Sequence, residues 1–285
     1  MTIERLVSTD WLARQLGASD LRVLDCTVYL RRGDDGRMRA ESGRQTYLEG
    51  HVPGAGFADL PGDLSDRATV LRFMMPPAEQ FAEAMSSYGV GEDTRVVLYD
   101  RATNAWAARI WWMLRAFGFD DAAVLDGGWK KWTREGRAVS TETPITPRGS
   151  FVARARADLI VSRDDVLRAI EDGATCVVNA LSEEQHRGDG PNSYGRLGRI
   201  PSSVNVPSAS LVDPETNAYL PLEQLRARFE AVGATTAPVI TYCGGGIAAS
   251  SDAFVLSLLG VEQVAVYDGS LSEWAADPAL PLEVG

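Results

Sequence analysis

The chain has 285 residues, 45% of them hydrophobic and 24% charged, a balance typical of a globular protein with room for two domains. Its net charge of −11, from 28 basic and 39 acidic residues, argues against nucleic acid or an anionic membrane as the main partner. No stretch has the length and apolarity of a membrane span, and the N-terminal residues lack a signal-peptide pattern.

Helical spacing and short apolar strands alternate along the chain. In order, the pattern predicts a helix over 10–16, a strand over 22–24, a helix over 77–88, a strand over 96–99, a helix over 106–117 and a strand over 123–125. The series then returns as a helix over 164–170, a strand over 176–178, a helix over 222–232, a strand over 239–242, a helix over 248–259 and a strand over 265–267. This alternation predicts an α/β fold, with a mostly parallel sheet flanked by helices in each half.

The two halves also share short sequence matches in the same order. Residues 23–25 match 177–179, residues 96–100 match 239–243, and Asp-Gly-Gly at 126–128 matches Asp-Gly-Ser at 268–270. We therefore predict a duplicated protein with one domain over 1–140 and a second over 157–285. A linker rich in Thr, Pro and Arg is expected over 141–156.

The end of the predicted strand over 239–242 is the most informative part of the chain. Cys243 follows this strand, three glycines follow Cys243, and a helix pattern begins at Ile247 and ends before Gly260. A sulfur at this turn faces a helix N-terminus and unpaired backbone N–H groups, which favours the nucleophilic thiolate. The glycines allow the backbone to curve around the sulfur, so we expect valine at Gly245 to disturb a positive φ and lower activity more than stability.

The other cysteines and the histidines predict no further chemistry. Cys26 and Cys176 lie at or near strand positions, where a cysteine is usually a small buried hydrophobe. An odd number of widely spaced cysteines favours a reducing cytoplasm over a disulfide framework. Only His51 and His186 are present, without close Cys–His pairing, so neither a metal site nor a cofactor is expected. Trp106, Trp111 and Trp112, at helical spacing, are predicted to be core.

These features together resemble the tandem-domain rhodanese family, which includes thiosulfate and 3-mercaptopyruvate sulfurtransferases. The resemblance covers nearly the whole chain and depends on Gly-His-Val-Pro-Gly-Ala at 50–55, the cysteine loop at 239–249 and Tyr-Asp-Gly-Ser at 267–270. It implies two rhodanese-like α/β domains. Asp100 stands in the first domain where Cys243 stands in the second, so the first domain is expected to be non-catalytic.

The resemblance also implies a mechanism. Cys243 is the expected nucleophile, which takes sulfur from a small anionic donor as a persulfide and passes it to cyanide or a thiol. Backbone groups would stabilise the persulfide charge, and they belong to Gly244, Gly245, Gly246, Ile247, Ala248 and Ala249.

The residues expected to recognise the donor differ from the family pattern. Thiosulfate-type members carry basic residues directly after the cysteine, whereas Gly244 fits the mercaptopyruvate type, so 3-mercaptopyruvate is the favoured donor. Leu181 stands where the family usually has an arginine. The substrate-binding candidates are Arg187, Arg196, Arg199 and His51. A solvated surface charge is the competing interpretation of each arginine, and a structural hydrogen bond that of the histidine.

Two alternatives remain at this point. Cysteine phosphatases share this fold but need an arginine six positions after the cysteine, where this chain has Ala249. The second alternative is a non-enzymatic persulfide carrier or binding module that takes sulfur from a protein partner, because a loop of glycines leaves specificity contacts to the donor.

Overall fold

The structure, a computed structural model, describes residues 3–33, 38–191 and 194–285, and the chain folds into two compact units. Unit 1 comprises Met1–Ala68, Met75–Arg156 and Val212–Tyr219. Unit 2 comprises Thr69–Met74, Ala157–Leu211 and Leu220–Gly285. Residues 141–156 thus lie in unit 1, and each unit includes one short segment from the other half of the sequence.

Unit 1 is built on a five-stranded parallel sheet with the order β1-β7-β6-β2-β5. Its strands are β1 (Leu6–Val7), β2 (Leu21–Asp25), β5 (Gly56–Phe57), β6 (Arg95–Tyr99) and β7 (Ala122–Leu125). A separate antiparallel hairpin joins β3 (Val28–Arg32) to β4 (Met38–Ser42). The helices are α1 (Thr9–Gln15), α2 (Arg44–Glu49), α3 (Ala78–Ser87), α4 (Ala105–Ala116) and α5 (Gly128–Arg134).

Unit 2 repeats this plan with the strand order β10-β9-β11-β12-β8, again all parallel. Its strands are β8 (Ile160–Val161), β9 (Cys176–Asn179), β10 (Val204–Asn205), β11 (Val239–Tyr242) and β12 (Val264–Tyr267). Its helices are α6 (Arg163–Asp172), α7 (Glu183–Arg187), α8 (Leu222–Glu230), α9 (Ile247–Leu258) and α10 (Ser270–Trp274), with a 3-10 turn at Ser208–Leu211. Each strand of unit 2 occupies the place of its counterpart in unit 1, which confirms the predicted α/β fold with two similar sheets.

Local sequence signals explain where the main elements begin and end. Ser162 caps α6 in a reciprocal capping box with Asp165, and Ser8 caps α1. Gly260, with φ of 81°, lies just beyond the end of α9, as predicted. All four residues of β11 are buried, because helices cover both faces of a parallel sheet.

The predicted tryptophan cluster is core: Trp106, Trp111 and Trp112 lie on α4 and are each buried. No helix in the described ranges has both the length and the apolarity that crossing a membrane would require. The β3–β4 hairpin and the two-residue edge strands were not predicted, because such short segments lack a periodic hydrophobic pattern.

Candidate active site

Cys243 lies at the carboxyl edge of the unit 2 sheet. It directly follows β11, which pairs with β9 on one side and β12 on the other, and only 3% of the residue is exposed. Three residues separate it from the first turn of α9. Ligand sites in parallel α/β sheets form beyond the carboxyl ends of the strands. The predicted strand–loop–helix placement of Cys243 is therefore confirmed.

The loop after Cys243 presents unused hydrogen-bond donors. Gly246 is the N-cap of α9 with φ of 79°, and it has no side chain to cap the helix. Within the described ranges, no acceptor takes the backbone N–H groups of five loop and first-turn residues. They are Gly244, Gly245, Ile247, Ala248 and Ala249. Unpaired donors at a helix N-terminus form an anion site, and the helix dipole adds to the positive potential there.

Ser270, the first residue of α10, is hydrogen-bonded to both ends of this loop. Its Oγ accepts hydrogen bonds from the N–H of Cys243 (3.1 Å) and of Gly246 (3.2 Å), and donates to the carbonyl of Tyr267 (2.8 Å). The N–H of Gly246 is therefore already bound to Ser270, and Gly246 contributes its backbone conformation instead. The carbonyl of Cys243 accepts from the N–H of Leu271 at 3.0 Å, so β11 and α10 are joined around the sulfur.

Unit 1 contains an internal counterpart of this loop with a carboxylate in place of the sulfur. Asp100 follows β6, is fully buried, and accepts from the N–H groups of Ala102 (2.7 Å) and Asn104 (3.2 Å). Its second oxygen accepts from Trp106 and Ala107, both at 3.0 Å. Burial raises the pKa of Asp100 to about 6, while these backbone hydrogen bonds oppose the rise. The loop geometry of this fold therefore surrounds an anionic group with N–H donors.

Two of the unpaired N–H groups in unit 2 have counterparts in unit 1 that bind the Asp100 carboxylate. Trp106 and Ala107 are the second and third residues of α4, and Ala248 and Ala249 hold the same places in α9. The Asp100 loop is one residue longer before its helix. Gly128 replaces Ser270 with nearly the same φ, 51° against 49°, and a Cβ there would lie 2.5 Å from the carbonyl oxygen of Asp100. The hydroxyl anchor is thus a feature of the cysteine loop.

The other two cysteines lie at or next to strands, where burial disfavours the thiolate. Cys26 follows β2 and is fully buried, and this burial raises the pKa of its thiol well above the usual range. Cys176 begins β9, and partial burial raises its pKa as well. Neither thiol lies at a helix N-terminus, and all three cysteines are free of disulfides. The structural interpretation of Cys26 and Cys176 fits their surroundings.

His51 belongs to unit 1, whereas Cys243 belongs to unit 2. It is fully buried, stacks on Tyr47, and its ring nitrogens lie 2.8 Å from the Tyr47 carbonyl oxygen and 3.1 Å from that of Glu142. Its backbone also pairs with Ser140. Through these contacts His51 holds residues 140–142 in place within unit 1, which is a structural role.

The three candidate arginines have different partners within unit 2. Arg196 donates to the carbonyls of three residues at and beyond the end of α10, which are Trp274, Ala275 and Asp277. Arg199 donates to the carbonyl of Gly285 and pairs with Glu283. Arg187 ends α7, after β9, and its guanidinium pairs with two exposed carboxylates, Asp189 at 3.2 Å and Glu183 at 4.0 Å. Among the three, Arg187 is therefore the guanidinium whose ion-pair partners are most easily exchanged for an anionic ligand.

Gly245 does not have the conformation expected from the sequence. Positive φ values occur at Gly246 but not at Gly245, and a Cβ on Gly245 would have ordinary contacts, 3.8 Å to Ser272 Oγ and 3.9 Å to the Arg72 carbonyl oxygen. The expectation that a side chain at Gly245 meets a positive φ is thus wrong. Three consecutive glycines show that a turn needs conformational freedom, but not which of them supplies it.

Alanine at Gly246 is expected to lower the free energy of unfolding by about 1–2 kcal/mol, because an L-residue is strained in the left-handed region. The rate of sulfur transfer should fall by a larger factor than the folded fraction of the protein, because Gly246 sets the orientation of the first-turn N–H groups of α9. Gly245→Ala is the matched control and should keep near-normal stability. Thermal unfolding and turnover, measured on both variants, test this, and equal behaviour of the two would contradict it.

The chain is similar to known proteins over nearly its whole length. The profile of the rhodanese-like domain matches residues 8–135 and again 162–277. The chain is 36% identical to thiosulfate/3-mercaptopyruvate sulfurtransferase 2 of Arabidopsis thaliana, over 99% of this chain and 87% of the relative. It is 34% identical to the sulfur carrier protein TtuD of Thermus thermophilus, over 99% of this chain and 97% of that protein. The crystal structure of SseA from Escherichia coli, a 3-mercaptopyruvate sulfotransferase with the rhodanese fold, matches with a TM-score of 0.83 and 31% identity, over 94% of this chain and 99% of that chain.

Proposed function

Since this chain belongs to the rhodanese family and is a sulfurtransferase of the rhodanese type, we propose that it carries the transferred sulfur as a persulfide on Cys243. Unit 2 is then the catalytic domain. Unit 1, with Asp100 at the matching position, is the non-catalytic copy, because a carboxylate cannot attack sulfur and hold it as a persulfide.

The first half-reaction loads the cysteine. The Cys243 thiolate attacks the thiol sulfur of 3-mercaptopyruvate, an S–S bond forms, and the donor's C–S bond breaks. The electron pair of that bond goes to carbon, which takes up the thiol proton, and pyruvate leaves. With thiosulfate, the donor's own S–S bond breaks and sulfite leaves with the electron pair. Either reaction converts Cys243 to a persulfide anion.

The second half-reaction unloads it. Cyanide or a thiolate attacks the outer sulfur, the S–S bond to Cys243 breaks, and its electron pair returns to the Cys243 sulfur. The products are thiocyanate or a new persulfide, together with the original thiolate. No net oxidation occurs and no cofactor is needed for the balance.

One observation carries this proposal: the cysteine loop offers unpaired N–H donors where the Asp100 loop binds a carboxylate. Two of the five, Ala248 and Ala249, match donors that bond the Asp100 carboxylate at 3.0 Å. Donors fixed in advance around a developing charge stabilise it without reorganisation. The persulfide anion is the charge that forms next to Cys243, so the loop is suited to hold it.

We further propose 3-mercaptopyruvate as the better small donor, guided by Arg187. Residues 244 and 245 are glycines, so the loop has no cation for the second charge of thiosulfate, and the net charge of −11 opposes a dianion more than a monoanion. Arg187 is the last residue of α7, the helix that follows β9. Because β9 is parallel to and paired with β11, α7 begins at the same edge of the sheet as Cys243. A reducing cytoplasm, suggested by three free thiols, is the proposed location.

A donor panel is the direct test. We expect a higher kcat/KM with 3-mercaptopyruvate than with thiosulfate, read by thiocyanate formation in the presence of cyanide. Arg187→Ala should lower that value roughly tenfold, since losing a charge-assisted hydrogen bond costs about 1.5 kcal/mol or more. The loss should appear mainly in KM. Arg168→Ala, which removes an exposed ion-paired arginine on α6, is the control. Thiosulfate as the clearly better donor, or a silent Arg187 variant, would contradict the assignment.

A second candidate is a persulfide carrier that receives sulfur from a protein partner, and a specific observation favours it. The sulfur carrier protein TtuD is similar over nearly the full length of both chains. Turnover separates the two functions. An enzyme produces many equivalents of thiocyanate from a small donor, whereas a carrier accepts one sulfur on Cys243 and turns over only when its protein donor is added.

A further inference from the structure

Tyr194 lies directly against the first loop glycine. A Cβ placed on Gly244 would fall closer than 3.0 Å to three atoms of the tyrosine, which are Cζ, Cε1 and the hydroxyl oxygen. Real Cβ atoms do not approach so closely, so the phenol occupies the space where a side chain at position 244 would begin. Consecutive Cα atoms are only about 3.8 Å apart. The phenol therefore lies against the residue that directly follows Cys243.

The neighbours of Tyr194 hold it in this place. The tyrosine packs against the apolar core of unit 2, and Gly195 lies against α10, where an added Cβ would be 3.1 Å from the Ala275 carbonyl oxygen. Arg196 then donates to the carbonyls at the end of α10, as described above. Arg196 thus anchors the chain two residues after the phenol, and α10 also carries Ser270, which binds the cysteine loop.

We propose that Tyr194 is a specificity-determining residue that forms the donor side of the pocket beside Cys243. Its ring fills the space that a side chain at position 244 would occupy. Its hydroxyl donates a hydrogen bond to the anionic group of a small sulfur donor. This inference rests on the proposed function and deepens it. The substrate class is a small organic thiol with a carboxylate within reach of the phenol when its sulfur touches Cys243.

The residues around Cys243 are suited to an uncharged hydrogen-bond donor such as the Tyr194 hydroxyl. The loop supplies backbone N–H groups for the charge on sulfur, and residues 244 and 245 supply no side chain. A phenol hydroxyl donates readily to a carboxylate while its ring limits the pocket's width. A rigid aromatic residue also loses little conformational freedom when it binds a ligand.

The hydroxyl is tested by Tyr194→Phe, which keeps the ring. We expect kcat/KM for 3-mercaptopyruvate to fall about tenfold, equivalent to about 1.4 kcal/mol, mainly through KM. Discharge of a preformed Cys243 persulfide by cyanide should stay within about twofold of the parent. Tyr29→Phe, on the β3–β4 hairpin of unit 1, is the matched control. An unchanged KM for the donor in Tyr194→Phe would overturn the role of the hydroxyl.

The ring is tested by a double-mutant cycle. Gly244→Ala alone should lower persulfide formation strongly, because the methyl group meets the phenol. Gly244→Ala combined with Tyr194→Ala should recover much of the loss relative to Tyr194→Ala alone. Equal damage from Gly244→Ala with and without the tyrosine would overturn the role of the ring.

The failure of this inference differs from the failure of the proposed function. Mass spectrometry of the parent protein after donor treatment reads the sulfur on Cys243. If the parent gains no sulfur from any donor, the proposed function fails. If the parent gains sulfur and the Tyr194 variants match it in donor KM and in the cycle, only the specificity role of Tyr194 fails.

Discussion

Cys243→Ser is expected to abolish sulfur transfer and leave the fold nearly unchanged. A serine hydroxyl fits the same buried turn, but it is a much weaker nucleophile and forms no persulfide. Removing a nucleophile of this kind costs on the order of 10³-fold or more in turnover. Thiocyanate formation and the intact mass after donor treatment measure the loss, and thermal unfolding checks the fold.

Cys176→Ser is the matched control, because Cys176 begins the neighbouring strand β9 without facing a helix N-terminus. The Cys176→Ser variant should keep its turnover. The folded fraction of Cys26→Ser should also keep its specific activity. A Cys243→Ser variant that still gains sulfur, or a Cys176→Ser variant that loses it, would show that the nucleophile has been assigned to the wrong thiol.

Removal of the Ser270 hydroxyl should lower turnover by about 10- to 100-fold, because it releases the N–H groups of Cys243 and Gly246 from their shared acceptor. Two variants separate the hydroxyl from backbone strain. Ser270 has φ of 49°, so Ser270→Ala keeps the strain, whereas Ser270→Gly relieves it, as Gly128 does in unit 1.

Both Ser270 variants should lose activity, and Ser270→Gly should be the more stable of the two. The rate of persulfide formation is the decisive measurement, because Ser270 positions the loop rather than touching the donor. Full activity in Ser270→Gly would show that the hydroxyl has no part in holding the loop for reaction.

The major helices and strands were predictable because each is a long periodic or continuously apolar segment. The helix predicted over 248–259 is α9 at Ile247–Leu258, and the strand predicted over 239–242 is β11. The duplication was also visible, because matching motifs keep their order. The strands β3 and β4 were missed because they lack a periodic hydrophobic pattern. The two-residue edge strands were missed because their pairing depends on neighbours distant in the sequence.

Some residues of the candidate site were also predictable from the sequence, whereas others were distinguished only by the structure. Arg187, Arg196 and Arg199 look equivalent in the sequence, yet Arg196 binds the end of α10 and Arg199 binds residues near the end of the chain. Tyr194 and Ser270 were not recognised as site residues. Ser270 belongs to the Tyr-Asp-Gly-Ser motif at 267–270, but the motif does not show that its hydroxyl binds a loop more than twenty residues earlier.

The sequence by itself determined that Cys243 ends a buried strand and precedes a helix, because strand, glycine turn and helix are specified by residues adjacent in the chain. It also determined the two-domain α/β fold through the repeated pattern. Only the tertiary structure decided that Gly246 rather than Gly245 has the left-handed conformation, that Ser270 holds the loop, and that Tyr194 covers Gly244. Periodicity and turn propensity record interactions between near neighbours, whereas these contacts join residues brought together by packing of the sheet and its helices.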